Sequence, residues 1–212
     1  YRAHLDGTKL KMANLDGANL CEVALTRADL YQARAFRADL RGADLSRAVL
    51  QGSNLCEATL SGADLRGADL EGADLQGAFL VGADLREANL KGANLREANL
   101  TGADLNQAIL READLFQCQL VGVVLEKATL DRANLGIADL SRANLNGASL
   151  VEANLTGAAL GKANLSRANL TRAELRWAVL RQAFLTGADL TRADLARADL
   201  SEARLTRAVF AG

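Results

Sequence analysis

Apolar positions recur along this chain at every fifth residue, and the register never slips. Leu stands at each multiple of five from Leu5 to Leu205 except at Ala35, and Phe210 closes the series. Two residues earlier, from Ala3 to Ala208, the position is Ala except at Thr8, Val23, Ser53, Cys118 and Val123. Between the two, Asp or Asn predominates, as in Ala63-Asp64-Leu65, Ala68-Asp69-Leu70 and Ala73-Asp74-Leu75. An α-helix cannot carry this pattern. Five residues turn a helix by about 500°, a net of about 140°, so the leucines would spiral over every side and form no stripe. A flat strand fails as well, because an odd step sends successive leucines to opposite faces. The leucines share one direction only if the chain bends once per unit. Each unit is therefore expected to be a short extended piece, Ala and Leu inward and the residue between them outward, followed by a two-residue corner.

Repetition this strict decides the architecture before propensity does. The corners agree with it. Of the 18 Gly, 16 occupy the second residue after a multiple-of-five position, where a type II turn asks for positive φ. Where Arg, Glu or Gln takes that slot, a different turn type is expected. No Pro occurs, so no backbone donor is missing from a stacked ladder. Gly42, Gly52, Gly62, Gly72, Gly82, Gly92 and Gly102 recur every ten residues. Ten divides a four-sided coil of twenty residues and does not divide a three-sided coil of fifteen. Residues twenty apart from Asn14 to Asp194 are all polar, which also favours the four-sided coil.

These residues carry a resemblance to the pentapeptide-repeat family, whose motif is Ala-(Asp/Asn)-Leu-x-x, over essentially all of residues 3 to 210. The resemblance implies an all-β fold, a right-handed quadrilateral parallel β-helix without helices inside the repeat. At about twenty residues per coil the chain would make about ten to eleven coils, a rod roughly 50 Å long. It also implies one β-helix domain spanning residues 1–212, serving as a non-catalytic scaffold for protein–protein interaction. Such domains are modules of larger bacterial proteins, cyanobacterial ones especially, some regulatory or membrane-associated. The alternative function within the family is mimicry of duplex DNA by an inhibitor of DNA gyrase or topoisomerase.

The register has one internal gap. At Ala35 the inward Leu is missing, and two outcomes are open: Phe36 swings inward with a local bulge, or a small cavity remains. The chain begins at Tyr1 and shows no cap-like segment at either end. It is therefore expected to come from a longer protein, with flanking domains or an end-to-end homodimer covering exposed core at one end or both.

Charge adds a longitudinal asymmetry. Residues 61–120 hold 5 Lys/Arg against 10 Asp/Glu, whereas residues 161–212 hold 9 against 5. A mimic of duplex DNA needs about one negative charge per 1.7 Å, far more than the central segment offers. Basic corner residues Arg167, Arg172, Arg192, Arg197 and Arg207 read as a solvated edge. Aromatics are too few for stacking on single strands, so no nucleic acid is expected. The single His, His4, lies at one end, which leaves no Ser-His-Asp or Cys-His pair to build. Rows such as Asp64, Asp84 and Asp104 read as a solvated ladder, since calcium needs six to eight converging oxygens. No catalytic residue, cofactor or metal is therefore expected. Cys21 and Cys56 point outward on different faces and Cys118 takes an inward slot, an arrangement that fits a reducing, cytoplasmic setting. No apolar run spans a membrane, and any tether would lie in flanking segments.

One candidate contact surface remains. Ile137, Gly157 and Trp177 fall in one corner column at twenty-residue spacing, Val179 follows on the same face, and Phe184 begins the next. Outward Trp and Phe among Asp and Asn mark a candidate patch for a protein partner. The plainer reading is that Trp177 lies flat over Gly157 and covers backbone.

Overall fold

The computed structural model describes residues 3–211. Every unit contributes one bridge residue, and each bridge is parallel and joins positions twenty apart: His4 to Ala24, Asp64 to Asp84, Asp189 to Val209. Four five-residue sides thus close one coil, and the coils stack as a four-sided parallel β-helix. Leu and Ala point inward from every side. From Leu25 to Leu190 they form one continuous core, interrupted among polar residues only by Ser53. Leu5, Leu10, Leu15 and Leu20 at one end and Leu195 and Leu200 at the other are only partly covered, and Phe210 is 52% exposed.

The backbone hydrogen bonds explain the consensus residue by residue. Within the unit Ala63–Gly67, the Leu65 N–H donates to Asp84 O on the following coil at 2.7 Å, and Gly67 N–H donates to Arg86 O at 2.9 Å. Asp64 N–H points the other way, to Ala43 O on the preceding coil at 2.9 Å. Ala63 N–H closes the preceding corner on Leu60 O at 3.0 Å. Only the first corner residue lacks a ladder partner. Its N–H, here that of Arg66, donates to Asp64 Oδ1 at 3.1 Å. The same Asx turn caps Cys56 on Asn54, Thr101 on Asn99 and Thr191 on Asp189. Asp and Asn therefore recur because a short side-chain oxygen two residues back is the acceptor that this N–H requires. Where the outward residue cannot serve, an acid one coil earlier takes over: Asp6 caps Thr26, Asp16 caps Phe36, and Asp131 caps Val151.

The corners depart from expectation. Arg, Glu and Gln do not bring another turn type. Every second corner residue has positive φ, whether Gly72 at 64° or Gln107 at 59°. With the Leu carbonyl accepting from the Ala three residues on, every corner is the same type II-like turn. The ladder above and below fixes this geometry, and each non-Gly residue there bears a left-handed conformation costing about 1–2 kcal/mol.

At Ala35 the second of the two open outcomes holds. Phe36 stays on the corner with the Arg37 guanidinium 4.8 Å from its ring centre, and Ala35 N–H keeps its bond to Asn54 O at 2.7 Å. No bulge forms. A void of about 10 Å³ is left among Leu15, Leu55, Ala35 and Ser53. The buried Ser53 Oγ facing it has no hydrogen-bond partner among the described residues.

Two stability predictions follow from this geometry. Ala35→Leu restores the side chain that occupies this place in the neighbouring coils, and it is expected to raise unfolding free energy by about 1–3 kcal/mol. An unchanged or lowered denaturation midpoint would show that the surrounding leucines have already closed the space. Gln107→Gly removes backbone strain without touching an ion pair, and a gain of up to about 1 kcal/mol is expected in the same urea titration.

Candidate functional site

The four patch residues are exposed: Ile137 57%, Trp177 55%, Val179 39% and Phe184 37%. The fold gathers three of them. Ile137 and Trp177 stand two coils apart on one corner, and Val179 lies on the side that follows that corner. Phe184 looks out from the adjoining side, beyond the corner of Arg181 and Gln182, and the Arg204 guanidinium covers it at 5.0 Å. Trp177 does not cover Gly157. Corner side chains lean toward the following coil, so Ile137 Cγ1 is the atom lying 3.7 Å from where a Cβ would stand on Gly157. Trp177 leans onward in the same way, and the Arg197 guanidinium stacks over its ring at 4.4 Å. Val179 and Phe184 carry no oxygen, so the N–H groups of Arg181 and Thr186 lack the Asx cap usual elsewhere. Phe79 at 49% and Val81 at 41% make a second apolar exposure five coils away. Its signal in the sequence was the pair of large residues, Phe79 and Val81, on either side of Leu80.

The acidic rows carry their own counter-ions. Arg66 bonds Asp64 at 2.5 Å and reaches Asp84 at 3.7 Å, while Arg86 bonds Asp84 at 2.6 Å and reaches Asp104 at 3.8 Å. Carboxylate and guanidinium therefore alternate up this side, and the central negative face is largely compensated. Asn amides continue the pattern on other sides, Asn94 donating to Asp74 at 2.9 Å and Asn134 to Asp114 at 2.9 Å. Among the described residues no group of three or more His, Cys, Asp or Glu is placed to hold a metal ion. Of the basic corner residues, Arg172 pairs with Glu152 and Arg197 lies on Trp177. The three cysteines are unpaired. Burial pushes the Cys118 thiol up to about 12 and the Cys56 thiol, with Asp74 beside it, up to about 11. Neither is a nucleophile near neutral pH. Exposed His4 lies 3.6 Å from Asp6 on the first described coil.

Several carboxylates titrate below their ordinary range. The Arg41 guanidinium holds Asp39 down, Arg86 does so for Asp84, and Arg132 with Arg172 for Glu152. Ser201, then Arg181, lower Asp199 to about 2. A carboxylate whose folded pKa lies below its unfolded value of about 3.9 stabilises fully above that value and ceases to do so as pH falls through the folded one. The melting temperature is therefore expected to hold from pH 7 to about 5 and to fall between about 4 and 2. Because these groups are exposed, the drop should shrink in high salt. A midpoint flat through that window would show that the pairs carry no net stability.

Comparison with known proteins completes the picture. A family model described as pentapeptide repeats matches in eight copies, over residues 1–34, 36–72, 68–107, 108–147, 138–172, 148–187 and 173–212. Among solved structures, HetL from the cyanobacterium Nostoc sp. strain PCC 7120 is 35% identical, with a TM-score of 0.62 over 99% of this chain and 90% of that one. HetL is described as a pentapeptide repeat protein involved in heterocyst differentiation regulation. A trypsin-treated form of QnrB1, a plasmid-mediated fluoroquinolone resistance protein, is 18% identical with a TM-score of 0.65, covering 86% of this chain and 90% of that one. At that identity the likeness speaks for the fold alone. No curated protein matches the chain. Repeat, coil and relatives agree: this chain belongs to the pentapeptide repeat family and forms its right-handed quadrilateral β-helix.

Proposed function

We propose that this chain is a non-catalytic scaffold that binds a protein partner through the side bearing Ile137, Trp177 and Val179, as one module of a larger bacterial protein. The observation that carries the reading is Trp177: a large aromatic, more than half exposed on a rigid corner, with the Arg197 guanidinium stacked over its ring. Rigid aromatic side chains ringed by polar groups are where interface energy concentrates. The regulatory role described for HetL, the 35% identical relative, supports a protein-directed function. A solid interior of Leu and Ala supports the absence of catalysis, since substrate has no cavity to enter. The exposed leucines of the first and last coils are surfaces that flanking segments or a second copy, stacked end to end, would cover. Mimicry of duplex DNA is the weaker reading, because Arg66 and Arg86 offset the acidic row that it requires.

Trp177→Ala is expected to weaken partner capture about tenfold or more while leaving circular dichroism and melting unchanged. Capture unaffected by that change would remove the patch. A gyrase supercoiling assay with stoichiometric protein is expected to show no inhibition, and inhibition there would favour the mimic.

A further inference from the structure

The corner that carries Arg27, Arg47, Gly67 and Glu87 has a groove of about 410 Å³ along it, also lined by Arg66 and Arg86. Arg27 and Arg47 stand one coil apart, separated by one ladder spacing of about 4.8 Å. At other corners a stacked cation meets an acid, as Arg37 meets Glu57 at 2.7 Å and Arg132 meets Glu152 at 2.9 Å, while the one other pair stacked without such an acid, Arg142 and Lys162, sets a single guanidinium beside an ammonium. Here like charge stacks on like charge, and among the described residues no carboxylate lies within ion-pair distance of either guanidinium. The flanking acids are already engaged. Asp29 pairs with Lys11 at 3.3 Å, Asp69 accepts from Gln51 at 2.6 Å, and Asp44 accepts from Ser46 at 2.6 Å. Asp64 belongs to Arg66. Gly67 then opens the next coil, and the Arg47 stem crosses it, its Cγ 3.6 Å from where a Cβ would stand.

We propose that this groove binds a small phosphomonoester, its dianionic phosphate clamped between the Arg27 and Arg47 guanidiniums. Spacing selects the ligand class. Two planar donor forks one ladder step apart close on a single tetrahedral oxyanion. The same spacing is too short for the phosphates of an extended nucleic acid strand or for alternate side chains of an extended acidic peptide, which lie about 6–7 Å apart. A bare phosphate fills only part of the groove, which leaves room along Gly67 for the organic group of a monoester. Glu87 at the far rim disfavours a second negative charge there and admits hydroxyls or amines.

Titration of the unmodified chain with phenyl phosphate and, separately, with inorganic phosphate tests this, read by calorimetry and by backbone amide shifts. Saturable binding of phenyl phosphate is expected, tighter than that of inorganic phosphate, with the Ser46 and Gly67 amides moving. Arg27→Gln/Arg47→Gln is expected to weaken it by about tenfold or more. The charge-matched Arg192→Gln/Arg207→Gln should bind as the parent does. Absence of saturation in the millimolar range, shifts confined to other corners, or equal loss in both double variants would overturn the proposal. Equal loss would mean that only net charge attracts the anion.

Discussion

Everything in this molecule depends on the hydrogen-bond requirement of the backbone. Each unit has five N–H groups and one way to place them. Two donate to the following coil, one to the preceding coil, one closes the corner, and one is taken by a side-chain oxygen two residues back. In a unit with its Asp or Asn in place no group is left over, and a residue inserted there would leave a donor unpaired. This is why the register holds across the whole chain, even where the inward side chain is lost. At Ala35 the interior gives way and the ladder does not: a void opens, while the bond to Asn54 stays at 2.7 Å. The corners show the same ranking. Gln107 and Trp177 take up a left-handed conformation that their side chains disfavour, because the alternative is a broken rung.

Much of this was legible before any coordinates. A fifth-residue Leu with an Ala two places earlier forces a bend per unit and assigns inside and outside at once. What the sequence could not show was governed by the stacked coil. A different turn type was expected at non-Gly corners because propensity was weighed in a single corner, whereas the ladder constrains all of them together. The Asp/Asn preference looked like mere solvation, since its bond to the corner N–H is visible only once the turn is drawn. Whether Trp177 covers Gly157 or stands free of it was open, because nothing in the sequence reveals which way corner side chains lean. Arg27 and Arg47 went unnoticed for a similar reason: twenty residues apart, they become neighbours only after the coil size is fixed, and their lack of an ion pair appears only when the carboxylates on the flanking sides have been assigned.

The outer surface divides into two kinds of position. Where the Asx cap and its stacked partners are in place, charge is offset locally, as on the side of Asp64, Arg66, Asp84 and Arg86. Where the outward residue is Val179 or Phe184, the cap is given up and apolar area faces water. The rod tolerates this loss because its inward side chains and remaining rungs are undisturbed. Surface chemistry is therefore free to vary over a core that scarcely changes, which is how a family with one interior can serve unrelated purposes.

The four-unit coil has one more implication, for how such a chain can evolve. Loss or duplication of a single five-residue unit would leave the core sequence intact, yet it would rotate everything downstream by a quarter turn relative to everything upstream. Two features facing opposite directions could be brought onto one line without altering either. Four such events, or one of twenty residues, would restore the original phase and change only the distance between them. Relative orientation on this rod is thus a counting variable, adjustable in discrete steps by the copying errors to which short repeats are prone.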